Sequence, residues 1–230
     1  MMNPPDPKIL ESAEAFLRSV DELRRPDLRI NPLTPEQSID ATGRMRGLTI
    51  GNELGLVVLD DANDSKPYCL ITRGVASGMV VHFSHDPEPR IRFASLDAFA
   101  DSLRTAVANG LDIDELPHGP VPALADQDAL ARHLRSLVER EDDEAETLAC
   151  LFVPLVDPAR VDILDTVAGS DSFYIREATA EHIAAHPSVE HFEIAERLAK
   201  DSHSQVARPG KKALSAVNRL RYARPQETTS

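Results

Sequence analysis

The sequence predicts an α+β fold: a small antiparallel sheet flanked by helices, followed by an all-α stack of helix pairs. Three observations predict it. Apolar residues between Met45 and Phe93 come in short bursts bounded by turn residues, the pattern of strands. Those between Asp126 and Leu220 recur at three and four positions, the period of amphipathic helices. A stretch holding Pro117, Gly119, Pro120 and Pro122 lies between them and reads as a linker over 111–125. The expected organisation is an α+β domain at 1–110, the linker, a helical domain at 126–222 and a flexible tail at 223–230.

The first expected element is a helix carrying Ile9, Leu10, Ala13, Phe16, Leu17, Val20 and Leu23 on one face, closed by Pro26. Two prolines make Asn31 to Pro35 an extended connection. Strands are expected at Leu48–Ile50, Leu54–Leu59, Tyr68–Thr72, Met79–Phe83 and Ile91–Phe93. Their connectors, Gly51-Asn52-Glu53, Asp60–Pro67, Arg73–Gly78 and Ser84–Arg90, suit an antiparallel meander. Ser95 then stands where an N-cap belongs, ahead of an apolar stripe of Leu96, Phe99, Ala100, Leu103 and Val107 that Asn109-Gly110 ends. This helix is expected to cover one face of the sheet.

In the second half, Leu130, Leu134, Leu137 and Val138 mark one helix, and Leu148, Leu151, Phe152 and Leu155 the next. A repeat follows without gaps. Ile163, Val167, Ala168, Ile175 and Ile183 are matched 31 positions later by Ile194, Leu198, Ala199, Val206 and Leu214, a shift that marks stacked helix pairs. The turns inside the two units are expected at Gly169–Ser172 and Lys200–His203. Asp157-Pro158 and His186-Pro187 are expected to open the first helix of each unit.

Composition narrows the function. Apolar residues make up 42% and charged residues 27% of the 230 residues, the mixture of a folded globular chain. Aromatics are 4% with no Trp, which argues against stacking platforms for single-stranded nucleic acid. A net charge of −13 disfavours nucleic acid and anionic membranes and favours a basic partner. Cys69 and Cys150 match no metal or redox spacing and read as reduced residues of a cytoplasmic protein. No apolar run approaches a membrane span, and Met1 to Pro7 lacks the features of a signal peptide.

Candidate chemistry is sparse, and neither a cofactor nor a catalytic set is expected. His182 and His186 are four apart, so a helix would put both imidazoles on one face at a metal-holding spacing. No third ligand is specified, and a surface pair at a helix end is the reading adopted. His82, His85 and Asp86 sit at a strand end, where alternation separates neighbours. Asp60, Asp61, Asn63 and Asp64 imitate a calcium loop, but Lys66 stands where Gly is needed and Thr72 where a carboxylate is needed. No nucleophile elbow, Walker loop or dinucleotide fingerprint is present.

Charge distribution says more. From Gly119 to Asp201 there are 18 acidic and 7 basic residues, and the balance turns basic from Ser202 onward through Arg208, Lys211, Lys212, Arg219, Arg221 and Arg224. Glu139, Glu141, Asp142, Asp143, Glu144 and Glu146 form a run that is either a solvated helix end or a footprint for a basic partner. With Asp60, Asp61 and Asp64 they are the candidate partner-binding residues. The oligomeric state is left open.

The segment Leu48 to Leu103 resembles the SUKH superfamily, which includes many bacterial immunity proteins against secreted toxins. The resemblance lies in Gly51-Asn52-Glu53-Leu54-Gly55, Leu56-Val57-Val58-Leu59-Asp60, the hairpin around Tyr68 to Phe83, and Ala94-Ser95-Leu96-Asp97-Ala98-Phe99. It covers about a quarter of the chain, and the absence of Trp departs from the family. Tyr174-Ile175-Arg176-Glu177-Ala178 resembles the start of the second helix of a HEAT repeat. Together the resemblances imply a non-enzymatic protein-binding module, an immunity or inhibitor protein for a basic toxin. The alternatives are a HEAT-type scaffold or adaptor and a metal-dependent enzyme using His182 and His186.

Overall fold

The computed structural model describes residues 4–60, 66–84, 89–117, 119, 121–140 and 142–223. The chain is α+β, with one antiparallel sheet in the first part and helices alone in the second. It divides into two compact units, Met1–Pro122 and Ala123–Ser230.

In the first unit, α1 (Pro7–Ser19) starts at Asp6, whose carboxylate accepts from Lys8 N at 2.9 Å, and buries Ala13, Phe16 and Leu17. It stops at Ser19, short of Pro26, which opens a 3₁₀ turn at Pro26–Leu28. A helix that was not expected, α2 (Pro35–Met45), follows. Thr34 and Gln37 form a reciprocal capping box at its start and Pro35 sits in its first turn, the strongest local helix-start chemistry.

The expected strand at Leu48–Ile50 is instead the head of a helix, α3 (Thr49–Leu54). Gly51 accounts for the difference. A Cβ there would lie 2.2 Å from the Met45 carbonyl oxygen, so this glycine permits a close helix contact rather than a turn. Gly55, at φ 61°, ends α3 in the left-handed conformation.

The sheet has strands β1 (Val57–Asp60), β2 (Tyr68–Leu70), β3 (Val80–His82) and β4 (Arg90–Phe93), antiparallel in the order β1-β2-β3-β4. One row across it is Val58, Cys69, Val81 and Ile91, all buried. Helix α4 (Leu96–Asn109) is capped by Ser95, whose hydroxyl accepts from Ala98 N at 3.1 Å, and ends at Gly110. Its Phe99 meets Phe16, Tyr68 and Phe93 at ring distances of 5.7, 5.1 and 5.2 Å, so α1 and α4 share the aromatic face of the sheet. Residues 111–116 belong with this unit: Ile113 is buried, and the buried Tyr68 donates its hydroxyl to Asp114 at 2.5 Å.

The outer edge of β1 is closed from the side. Ser38 on α2 donates to the Val58 carbonyl at 2.5 Å, Thr42 accepts from Val58 N at 3.0 Å, and Leu33 N donates to the Leu59 carbonyl at 3.0 Å. Backbone groups that would template another strand are thereby satisfied.

The second unit contains α5 (Gln127–Val138), α6 (Asp143–Phe152), α7 (Val161–Ala168), α8 (Phe173–Ala185), α9 (Phe192–Ala199) and α10 (Ser204–Ala223). Successive helices pack in pairs, with α5 on α7 and α7 on α9 in one row and α6 on α8 and α8 on α10 in the other. The turns between α7 and α8 and between α9 and α10 occupy the predicted residues, 169–172 and 200–203. Pro158 and Pro187 lie upstream of the helix starts at Val161 and Phe192 rather than inside their first turns. Gly210 lets α10 cross α9 closely, because a Cβ there would sit 2.4 Å from the Leu198 carbonyl carbon.

Candidate functional site

The acidic corner between α5 and α6 is built by the need to start a helix. Asp142 caps α6, accepting from Ala145 N at 2.7 Å and from the Arg140 guanidinium at 2.9 and 3.1 Å. The Arg140 contact first, and the Ala145 amide next, hold its carboxyl below the usual range. Asp143, Glu144 and Glu146 occupy the first turn, where the helix dipole favours negative charge. Glu146 also accepts from Ser172, the cap of α8. Asp142 and Glu146 are thus engaged internally. Glu139 and Asp143 are exposed, Glu144 is half-buried, and none of the three makes an ion pair among the described residues. Glu141 lies outside the described residues.

Elsewhere in the unit several carboxylates are answered. Arg160 binds Asp128 and Asp162, Arg197 binds Asp165, and Arg176 binds Asp201 at 2.8 Å with both side chains largely covered. Arg176 also donates to the carbonyls of Ser170 and Asp171, pinning the α7–α8 turn.

Of the sheet-unit carboxylates predicted for partner binding, Asp60 is the one among the described residues. Asp60 is 3% exposed and accepts from Asn31 N at 2.9 Å. A carboxylate so covered offers nothing to a docking surface, so Asp60 leaves the predicted set. Asp61 and Asp64 lie outside the described residues, as do Asn63, His85 and Asp86.

Of the histidine pair, His186 is exposed but His182 is not at the surface. His182 is 7% exposed, its ring lies 5.1 Å from that of His186, and its Nε2 has no hydrogen-bond partner among the described residues. Burial first, and His186 next, lower its pKa to about 4, with the Val156 backbone acting in the opposite direction. His191 is fully buried; Nδ1 accepts from Ser188 N, which leaves Nε2 to donate to the Pro158 carbonyl at 2.7 Å. Among the described residues no group of three or more His, Cys, Asp or Glu is placed to hold a metal. The surface reading of His182 is therefore corrected: the ring is a packing element of α8.

A pocket beside α3, lined in part by Leu10, Arg46, Asn52, Leu56 and Arg73, encloses about 60 Å³, well below the roughly 300–1,000 Å³ of ordinary ligand sites. Cys69 is buried, Cys150 partly so, and both are free thiols. No helix among the described residues is long and apolar enough to cross a membrane.

The fold and the corner define the class, an α+β unit followed by a two-row helical unit with an uncompensated acidic end. Comparison with family models, curated proteins and solved structures finds no match to the chain.

Proposed function

We propose that the chain is a non-enzymatic protein-binding module of the immunity or inhibitor kind, which docks a basic toxin-like partner in the cytoplasm. The observation that carries this reading is the α5–α6 corner, where Glu139, Asp143 and Glu144 lie close together in the sequence and, among the described residues, lack cationic partners, while Asp128, Asp162, Asp165 and Asp201 have them. Exposed, unpaired charge of one sign speeds encounter with a surface of the other sign and selects against wrong partners. The SUKH resemblance of the first unit and the two free cysteines support the same reading.

Affinity capture of the tagged protein from its host at low and high salt tests it. The expected catch is one basic protein, released by salt and inactive while bound, whose recovery falls about tenfold with Asp143→Lys plus Glu144→Lys. A salt-insensitive catch, or one unaffected by the charge reversal, overturns the reading. The two-row helical stack supports a second reading, a scaffold for a peptide or regulatory protein, in which binding survives loss of the sheet unit.

A further inference from the structure

Helix α10 is the most basic element of an acidic chain. Its 20 residues include Arg208, Lys211, Lys212, Arg219 and Arg221 and no carboxylate. At 100° per residue, Arg208, Lys211, Lys212, Ser215, Arg219 and Tyr222 fall within one sector of about 100°. Val206, Pro209, Gly210, Ala213, Ala216 and Val217 occupy the opposite side and are buried, so the basic stripe faces solvent. Arg221 points elsewhere, stacking 3.8 Å over the Phe192 ring. Arg208, Lys211, Lys212 and Arg219 are exposed and make no ion pair among the described residues. Tyr222 closes the stripe at 86% exposure.

We propose that this stripe docks against the acidic α5–α6 corner of a second copy of the chain. The two surfaces stand at opposite ends of the helical stack: α5 and α6 pack on α7 and α8, whereas α10 packs on α8 and α9. Within one unit they are held apart, while two copies bring them together head to tail, in a heterologous contact that joins different patches. Charge matches on both sides, since eight acidic and three basic residues stand between Asp126 and Glu146. The exposed Tyr222 supplies an aromatic anchor of the kind that carries affinity at interfaces. Whole-molecule repulsion from the net charge is screened over about 8 Å at physiological ionic strength, which leaves contact pairs to act.

The contact rests on the same acidic corner as the proposed function, so a second copy and the basic partner compete for it, while the α10 stripe is not assigned to that partner. Sedimentation velocity of the full chain over the micromolar range tests it. Wild-type protein is expected to associate at physiological salt and to dissociate as salt is raised. Lys211→Glu plus Lys212→Glu, and separately Asp143→Lys plus Glu144→Lys, each weaken association at least tenfold, and an equimolar mixture of the two variants restores it. A wild type that stays monomeric overturns the inference, as does association that survives the reversals or a mixture that fails to recover. Binding of a short DNA duplex by monomeric wild type, lost in the Lys211→Glu plus Lys212→Glu variant, would assign the stripe to a polyanion and overturn it too. Capture of the basic partner by that lysine variant, whose corner is intact and no longer occupied by a second copy, is expected at or above the wild-type level, which separates failure of this contact from failure of the functional reading.

Discussion

His182 shows how burial turns a plausible ligand into a liability. A histidine in an unfolded chain titrates near 6.5, whereas packing of His182 beside His186 lowers its pKa to about 4. The unfolded chain therefore takes up the proton first. The associated stability is intact above about pH 6.5 and is lost as pH falls toward 4, by up to about 3 kcal/mol. Between about pH 7 and pH 5, urea unfolding followed by helical signal is expected to show a loss of about 2 kcal/mol that is absent in His182→Leu. An unchanged pH slope in that variant would remove His182 from the account. Asp142, Asp162 and Asp201 have lowered pKa values, so their contributions vanish at more acid pH, outside this window. The same scale limits what sequence reveals of the acidic site. Asp60, Asp142 and Asp143 are alike in composition, yet one is buried against a backbone amide, one caps a helix and one is free. Where unpaired N–H groups fall decides which, and that is a property of the folded backbone.

Among the elements, α2 is the one that periodicity hides. Its buried positions are Ser38, Ala41 and Thr42, while Ile39 is 71% exposed, so no apolar stripe marks it. The helix is held by hydroxyls, and the Thr34–Gln37 capping box was the legible signal. Because Ser38 and Thr42 satisfy the backbone of Val58, Ser38→Ala and Thr42→Val should each cost about 1–2 kcal/mol by leaving a buried group unpaired. Denaturant midpoints measure this, and near-neutral variants would show that the β1 edge is solvated instead. The repeat in the second unit was readable because its positions are large and apolar: Ile163, Val167, Ile194 and Leu198 are all nearly fully buried. Leu214, its last member, is only half-covered, since Ala213 and Val217 carry the contact face of α10.

For the molecule as a whole, fold class follows from hydrophobic period, because both periods report burial directly. Function does not, because charge along the chain says nothing of which carboxylates are paired. The net charge of −13 and an isoelectric point near 5.0 place the loss of electrostatic repulsion inside the pH window in which His182 weakens the fold. Solubility, measured by light scattering across pH, is expected to be lowest near pH 5 and to improve there in His182→Leu. A minimum elsewhere would separate colloidal from conformational effects.

The closure of β1 by α2 also sets a clock. The Val58 amide proton is held by a side-chain oxygen on another element and not by a neighbouring strand. Its exchange with deuterium is therefore timed by how often α2 lifts away, whereas the row it shares with Cys69 and Val81 is timed by opening of the sheet. One amide thus reports the lifetime of a helix to which it does not belong.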